Sequence, residues 1–237
     1  MSAQLPLALP VGPDQRFDLF VGHDWAVEAV SAIATGANVL EGASSRTEAA
    51  FVEGAEGSGK THLLLAACRA AHEAGRRARY LPVPAFVGAL EAMFVGVEAN
   101  DLVALDGIDA AADSRVDCEA LFHAHNRLRD GGRSVIYSSR IPAGDARWAL
   151  PDLRSRLGQC LRVSLDVLDD DGRREALKRR AARRGLELDN AVLDWLFRRV
   201  DRDLKSLTAL LDRLDRAAMA AQRRLTVPFV RGVVDAG

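Results

Sequence analysis

The 237-residue chain carries 32 Lys and Arg against 33 Asp and Glu, a formal net charge of -1, and 49% of its residues are hydrophobic. That balance gives no global pull towards nucleic acid or an anionic membrane and argues against a DNA-coating role, so any such contact has to come from a local patch. Cys68, Cys118 and Cys160 lie far apart without a C-x-x-C pair, which argues against a disulfide framework or a zinc site and suits a reducing cytoplasm. No basic leader precedes an apolar core, and no apolar run approaches the ~18 residues needed to cross a bilayer, so a soluble cytoplasmic protein with no membrane contact is expected.

In chain order, residues 1–16 are interrupted by Pro6, Pro10, Gly12 and Pro13, which forbids a regular helix and predicts an extended arm. Within the arm, Gln4, Leu5, Leu7 and Leu9 suit a short linear peptide that docks in a partner's apolar pocket, or simply a disordered tail. Phe17 to Gly22 then leads into a helix from Trp25 to Ala34, positioned either to pack near the base of a nucleotide or to join the core.

Ala49 to Glu53 reads as a short buried strand, followed by Gly54-Ala55-Glu56-Gly57-Ser58-Gly59-Lys60-Thr61. This is the G-x-x-x-x-G-K-[ST] phosphate cradle. Its glycines turn backbone N–H groups inward on a polyphosphate, Lys60 supplies charge for the β- and γ-phosphates, and the Thr61 hydroxyl ligates Mg²⁺. His62 to Ala74 reads as the helix behind it, adding its positive dipole end.

Strands are expected at 79–83, 100–106, 133–140 and 160–165, alternating with helices at 85–93 and 118–129 and with a short helix inside 150–158. The alternation specifies a parallel five-stranded sheet flanked by helices. The run ending at Asp106 delivers a carboxylate to the Mg²⁺ beside the phosphates. After it stands Gly107, which cannot activate water, and the next acid is Asp109, so weak or assisted hydrolysis is expected. The hydroxyls ending the fourth strand either sense a γ-phosphate or cap the loop that follows. His123 and His125 fall on different sides of their helix and read as packing or surface residues. Arg154 and Arg156 end the short helix before the last strand.

From residue 166 the composition turns helical, with helices expected at 169–184, 187–200 and 201–224. The basic cluster between Arg173 and Arg184 is interleaved with acids and lacks aromatics, which favours a solvated face over a nucleic-acid surface. The organisation expected is therefore an arm (1–16), an α/β nucleotide-binding domain (17–165) and a small helical domain (166–237).

The ordered set of P-loop, strand-end acid, polar strand end, arginine before the last strand and helical lid resembles the AAA+ ATPases. Within them, the Gln4 to Leu9 arm, Leu150 to Leu157 and the tail from Leu211 to Val230 resemble the initiator DnaA and, closer still, its shortened Hda relatives, which inactivate DnaA. The resemblance implies Arg156 as an arginine finger acting in trans, Ser139 as first sensor and Lys205 at the second-sensor position, where an arginine is usual. It implies Gln4, Leu5, Leu7 and Leu9 as anchors on the DNA polymerase III sliding clamp, ADP or ATP with Mg²⁺ in the cradle, DnaA as partner, DNA reached through the clamp, and a possible homodimer. Residues 54–62, Asp106, Ser139 and Lys205 form the expected nucleotide site, with Thr61 and Asp106 on the metal side. An autonomous DnaA-like or helicase-loader ATPase and a non-catalytic clamp adaptor are the alternatives.

Overall fold

A computed structural model describes residues 14–37, 48–200 and 203–235. The chain divides into two compact units, with the boundary after Asp166.

In the first unit, strands β1 (Ala49–Gly54), β2 (Ala78–Pro82), β3 (Leu102–Asp106), β4 (Ser134–Ser139) and β5 (Leu161–Leu165) form one sheet in the order β2-β3-β4-β1-β5. Every pairing is parallel. A parallel sheet is covered on both faces, and period-two alternation sorts the side chains between them. Ala50, Val52, Leu102, Ala104, Ile136 and Val163 meet α1 (Asp24–Thr35) and α2 (Lys60–Glu73). Phe51, Val103, Leu105, Val135 and Tyr137 turn to the opposite face, beneath α3 (Leu90–Met93), α4 (Arg115–Asp130) and α5 (Pro151–Gly158). The helix expected over 85–93 is broken: a 3₁₀ turn at Val83–Phe86 precedes α3, which is only one turn long. Gly88, at φ +86°, takes the left-handed conformation between the two segments and stops the helix there.

The second unit contains α6 (Asp170–Arg183), α7 (Asn190–Arg199), α8 (Leu204–Ala221) and α9 (Val227–Asp235). Leu177, Leu193, Leu196, Phe197, Leu207, Leu211, Leu214 and Val230 bury against one another as its core. The aspartates at the three caps explain where the first three helices begin. Asp169, Asp189 and Asp203 each accept a bond from a backbone N–H in the first turn, at Gly172, Val192 and Ser206. The basic stretch on α6 is largely neutralised by pairs such as Arg173 with Asp170, Arg174 with Asp194 and Arg184 with Asp212. Arg180 differs: it is buried and donates to the Thr208 hydroxyl. Among the described residues, no helix is long and apolar enough to cross a membrane.

Candidate functional site

The glycines of the P-loop are required by geometry. A Cβ on Gly54 would overlap the Leu165 carbonyl oxygen, while Gly57 and Gly59 sit at φ +81° and +93°. The loop turns tightly enough that the Lys60 ammonium folds onto the carbonyls of Gly54 (2.7 Å) and Ala55 (2.6 Å). Burial lowers the Lys60 pKa, and the nearby carboxylates of Asp106 and Asp109 oppose that shift. Behind the loop, His62 Nε2 hydrogen-bonds the Arg16 carbonyl at 2.8 Å and its ring tilts against Phe20. The edge of Phe20 lies 3.0 Å from where a Gly59 Cβ would stand. The segment from Arg16 to Phe20 thus backs the cradle.

Asp106 ends β3 on the sheet face that carries α2, and three hydroxyls converge on it. Thr61 Oγ1 donates to Oδ2 at 2.8 Å, the Tyr80 hydroxyl donates to the same oxygen at 2.6 Å, and Ser138 donates to Oδ1. Ser138 in turn accepts the Gly107 N–H at 2.8 Å. Tyr80 comes from the adjacent strand β2, and its hydroxyl pKa is raised by burial and by the Asp106 carboxylate. A carboxylate and a hydroxyl side by side form an oxygen donor set suited to Mg²⁺, which binds protein through one or two such groups and substrate phosphates. The fit is consistent with metal bound through nucleotide; among the described residues no cluster of three or more His, Cys, Asp or Glu stands ready to hold an ion by itself.

Two expected residues occupy different surroundings from those the linear pattern suggested. Ser139 does not reach Asp106. Adjacent strand residues point to opposite faces, so its buried hydroxyl donates to the Ile141 carbonyl (2.6 Å) and accepts the Ile141 N–H (3.0 Å), capping the following loop. Ser138 is the hydroxyl in the site. The acid after Gly107 is also engaged: Asp109 accepts from the Arg140 backbone N–H (3.1 Å) and from Arg140 Nε (2.7 Å), and its side chain is only 5% exposed. Tyr80 was the residue that sequence reasoning missed. Its signal was present in the alternation of Arg79-Tyr80-Leu81, which puts a phenol on the α2 face one strand away from Asp106.

Arg156 lies at the other end of the sheet. Half-buried near the end of α5, it lines a cleft of about 330 Å³ with Arg129, Arg133 and His125, beside Ala49, Val135 and Leu161 at the amino ends of β1, β4 and β5. The floor is His125, whose Nδ1 shares a 2.8 Å hydrogen bond with the buried Tyr137 hydroxyl. Burial, then the charges of Arg129 and Arg156, push the His125 pKa down to about 4. His123 is exposed, so the two histidines do packing and surface duty. The three cysteines are free and buried. Gln4, Leu5, Leu7 and Leu9 lie outside the described residues. Lys205 falls in the first turn of α8, and its side chain too lies outside what is described.

A parallel sheet in this order, a P-loop at the carboxy end of β1 and a helical unit after β5 make up the AAA+ fold. Over residues 170–234 the chain matches the family model described as Hda, lid domain. Its structure is similar to domain III of the Thermotoga maritima replication initiation protein DnaA, with a TM-score of 0.74 at 21% identity over 96% of this chain and 98% of that one. It is similar to AMPPCP-bound DnaA from Aquifex aeolicus, with a TM-score of 0.66 at 23% identity over 86% of this chain and 65% of that one. The Thermotoga maritima Holliday junction branch migration motor RuvB shares the fold more loosely, at a TM-score of 0.64 and 19% identity over 94% of this chain and 72% of that one. The structural likenesses establish the fold, and the lid match carries the closer relation. The chain has an AAA+ fold like that of DnaA domain III, and its residues 170–234 match the Hda lid domain.

Proposed function

We propose that this chain is a negative regulator of replication initiation that holds a nucleotide, ADP with Mg²⁺, as a structural switch and promotes hydrolysis of ATP bound to DnaA. Gln4, Leu5, Leu7 and Leu9 anchor it to the DNA-loaded sliding clamp, so DNA is reached through the clamp and the reaction is confined to replicating chromosomes. Residues 54–62 and Asp106 bind the nucleotide, with Lys205 from the lid as a cation for its phosphates. Ser138 replaces Ser139 as the polar group beside the metal-side acid.

The observation that carries this reading is the separation of Arg156 from the chain's own cradle. β1 has six residues, and at ~3.3 Å per residue the two ends of the sheet lie roughly 18 Å apart. An arginine side chain does not bridge that span, so Arg156 serves a nucleotide belonging to another subunit. Its guanidinium stabilises charge on the phosphoryl group being transferred, an effect worth ~10³ to 10⁵ in rate in systems that use such a finger. In the chain's own cradle, Gly107 offers no acid and Asp109 is paired with Arg140, which supports holding nucleotide over turning it over. The AMPPCP bound to the DnaA relatives supports nucleotide binding in the same fold.

The test is ATP loss from ATP-loaded DnaA, mixed with this protein, clamp and primed DNA. The expected result is accelerated loss that disappears with Arg156→Ala. Acceleration that survives Arg156→Ala but is lost with Gln4→Ala and Leu5→Ala would instead identify a clamp adaptor without a catalytic contribution. Rapid ATP turnover by the protein alone would point to an autonomous ATPase.

A further inference from the structure

The cleft around Arg156 holds more charge than one arginine finger requires. Arg129 stands in the last turn of α4 and lines the same cleft, and it pairs with its chain neighbour Asp130 at 3.3 Å. Arg133, the third guanidinium, is committed to Asp101 at 2.8 Å. Glu48 contributes one carboxylate at the cleft's edge. Three arginines against one acid leave the cleft cationic among the described residues, and of the three Arg133 alone is closely paired there with an acid on a separate element.

The two guanidinium groups are also tied to one imidazole. His125 forms the floor, held from below by Tyr137, and the charges of both arginines bear on it. A neutral imidazole fixed there costs less repulsion with the two cations than a charged one. Two forked cations on one concave surface suit a group whose negative charge is spread over three equatorial oxygens. One guanidinium engages two of those oxygens, leaving a third for a second cation.

We infer that this cleft is a two-cation receptor for the terminal phosphate of a nucleotide held by the partner subunit, with Arg129 acting beside Arg156. The inference rests on the trans-acting role proposed above for Arg156 and extends it to a residue that neither the P-loop pattern nor the family resemblance singles out. Because Arg129 is exposed, its replacement leaves the core and the His125–Tyr137 floor in place.

Stimulated ATP loss from ATP-loaded DnaA is measured, with clamp and primed DNA, for the unaltered protein, Arg156→Ala, Arg129→Ala and Arg129→Lys. Binding of each to ATP-loaded and ADP-loaded DnaA is measured in parallel. The expected result is that Arg129→Ala lowers the stimulated rate about a hundredfold, as loss of one electrostatic partner does at the lower end of its range. Arg129→Lys recovers most of that loss, and the Arg129→Ala binding defect is confined to ATP-loaded DnaA. Full stimulation by Arg129→Ala while Arg156→Ala is inactive overturns the two-cation receptor and leaves the arginine-finger reading intact. Equal weakening toward ATP- and ADP-loaded DnaA overturns it as well, by showing a docking charge with no phosphate selectivity. Full stimulation by both alanine variants removes the trans-acting reading and this inference together.

Discussion

The two ends of the sheet contrast in how their charges are held. At the carboxy end nearly every polar group is paired: Lys60 folds onto loop carbonyls, Asp106 gathers three hydroxyls, and Asp109 is clasped by Arg140. At the amino end Arg156 and Arg129 face an open cleft over a neutral histidine. A closed set of partners suits retention of a ligand, whereas solvent-facing cations at a surface suit a ligand supplied from outside. On the proposed function, the same sheet separates a holding end from a donating end.

The largest effect is expected at the holding end. Lys60→Ala removes the charge aimed at the phosphates and should weaken nucleotide binding by at least ~100-fold in isothermal titration, about 3 kcal/mol. Binding within threefold of the unaltered protein would show that the loop's N–H groups suffice.

A comparable effect belongs to the floor of the donating end. The folded-state pKa of His125 is depressed to about 4 from an ordinary value of about 6.5. Between those values the unfolded chain binds the proton and the folded one does not. The stabilisation is thus complete above about pH 6.5 and is lost as pH falls towards 4, by about 3 kcal/mol at most. Urea denaturation at pH 6.5 and 4.5 checks this: the unaltered protein should lose more stability on acidification than His125→Gln does, and parallel losses would refute the assignment.

Gly107 bears on whether the holding end can be converted into a hydrolytic one. It adopts φ +72°, and an added Cβ would lie 3.0 Å from the Pro84 ring. Gly107→Asp should therefore cost ~1–3 kcal/mol in thermal or urea unfolding and leave intrinsic ATP turnover low. A large gain in turnover would show that a missing acid alone silences this cradle.

The smallest effect is expected for Tyr80→Phe, which removes one of three donors to Asp106. The loss of a net hydrogen bond is worth about 1 kcal/mol, so the Mg²⁺ concentration giving half-maximal nucleotide binding should shift by about fivefold. No shift would mean that Thr61 and Ser138 fix the carboxylate unaided.

The sheet, the cradle and Asp106 were legible in the sequence because buried parallel strands and a glycine-lysine-hydroxyl loop leave strong linear signatures. The break at Gly88 was obscured by apolar neighbours, and α9 by a short run containing Pro228, which is tolerated in a first helical turn. Ser138 and Ser139 were interchangeable as letters; only the register of β4 against β3 assigns one to each face. Tyr80 and the Arg129–His125–Arg156 cleft join residues far apart in the chain, and no local pattern announces such convergence. The place of Arg156 before the last strand was readable from the chain, but its distance from the chain's own cradle required the fold.

The most direct test of the division between the two ends is a nucleotide-tracing measurement in one mixture. DnaA is loaded with γ-labelled ATP, this protein is loaded with unlabelled ADP, and label release is followed on clamp-bearing DNA with Arg156 intact or replaced by alanine. Rapid release with Arg156 and release near the DnaA-alone rate without it is the predicted outcome. Equal release from the two mixtures would contradict the assignment of Arg156 to a partner's nucleotide.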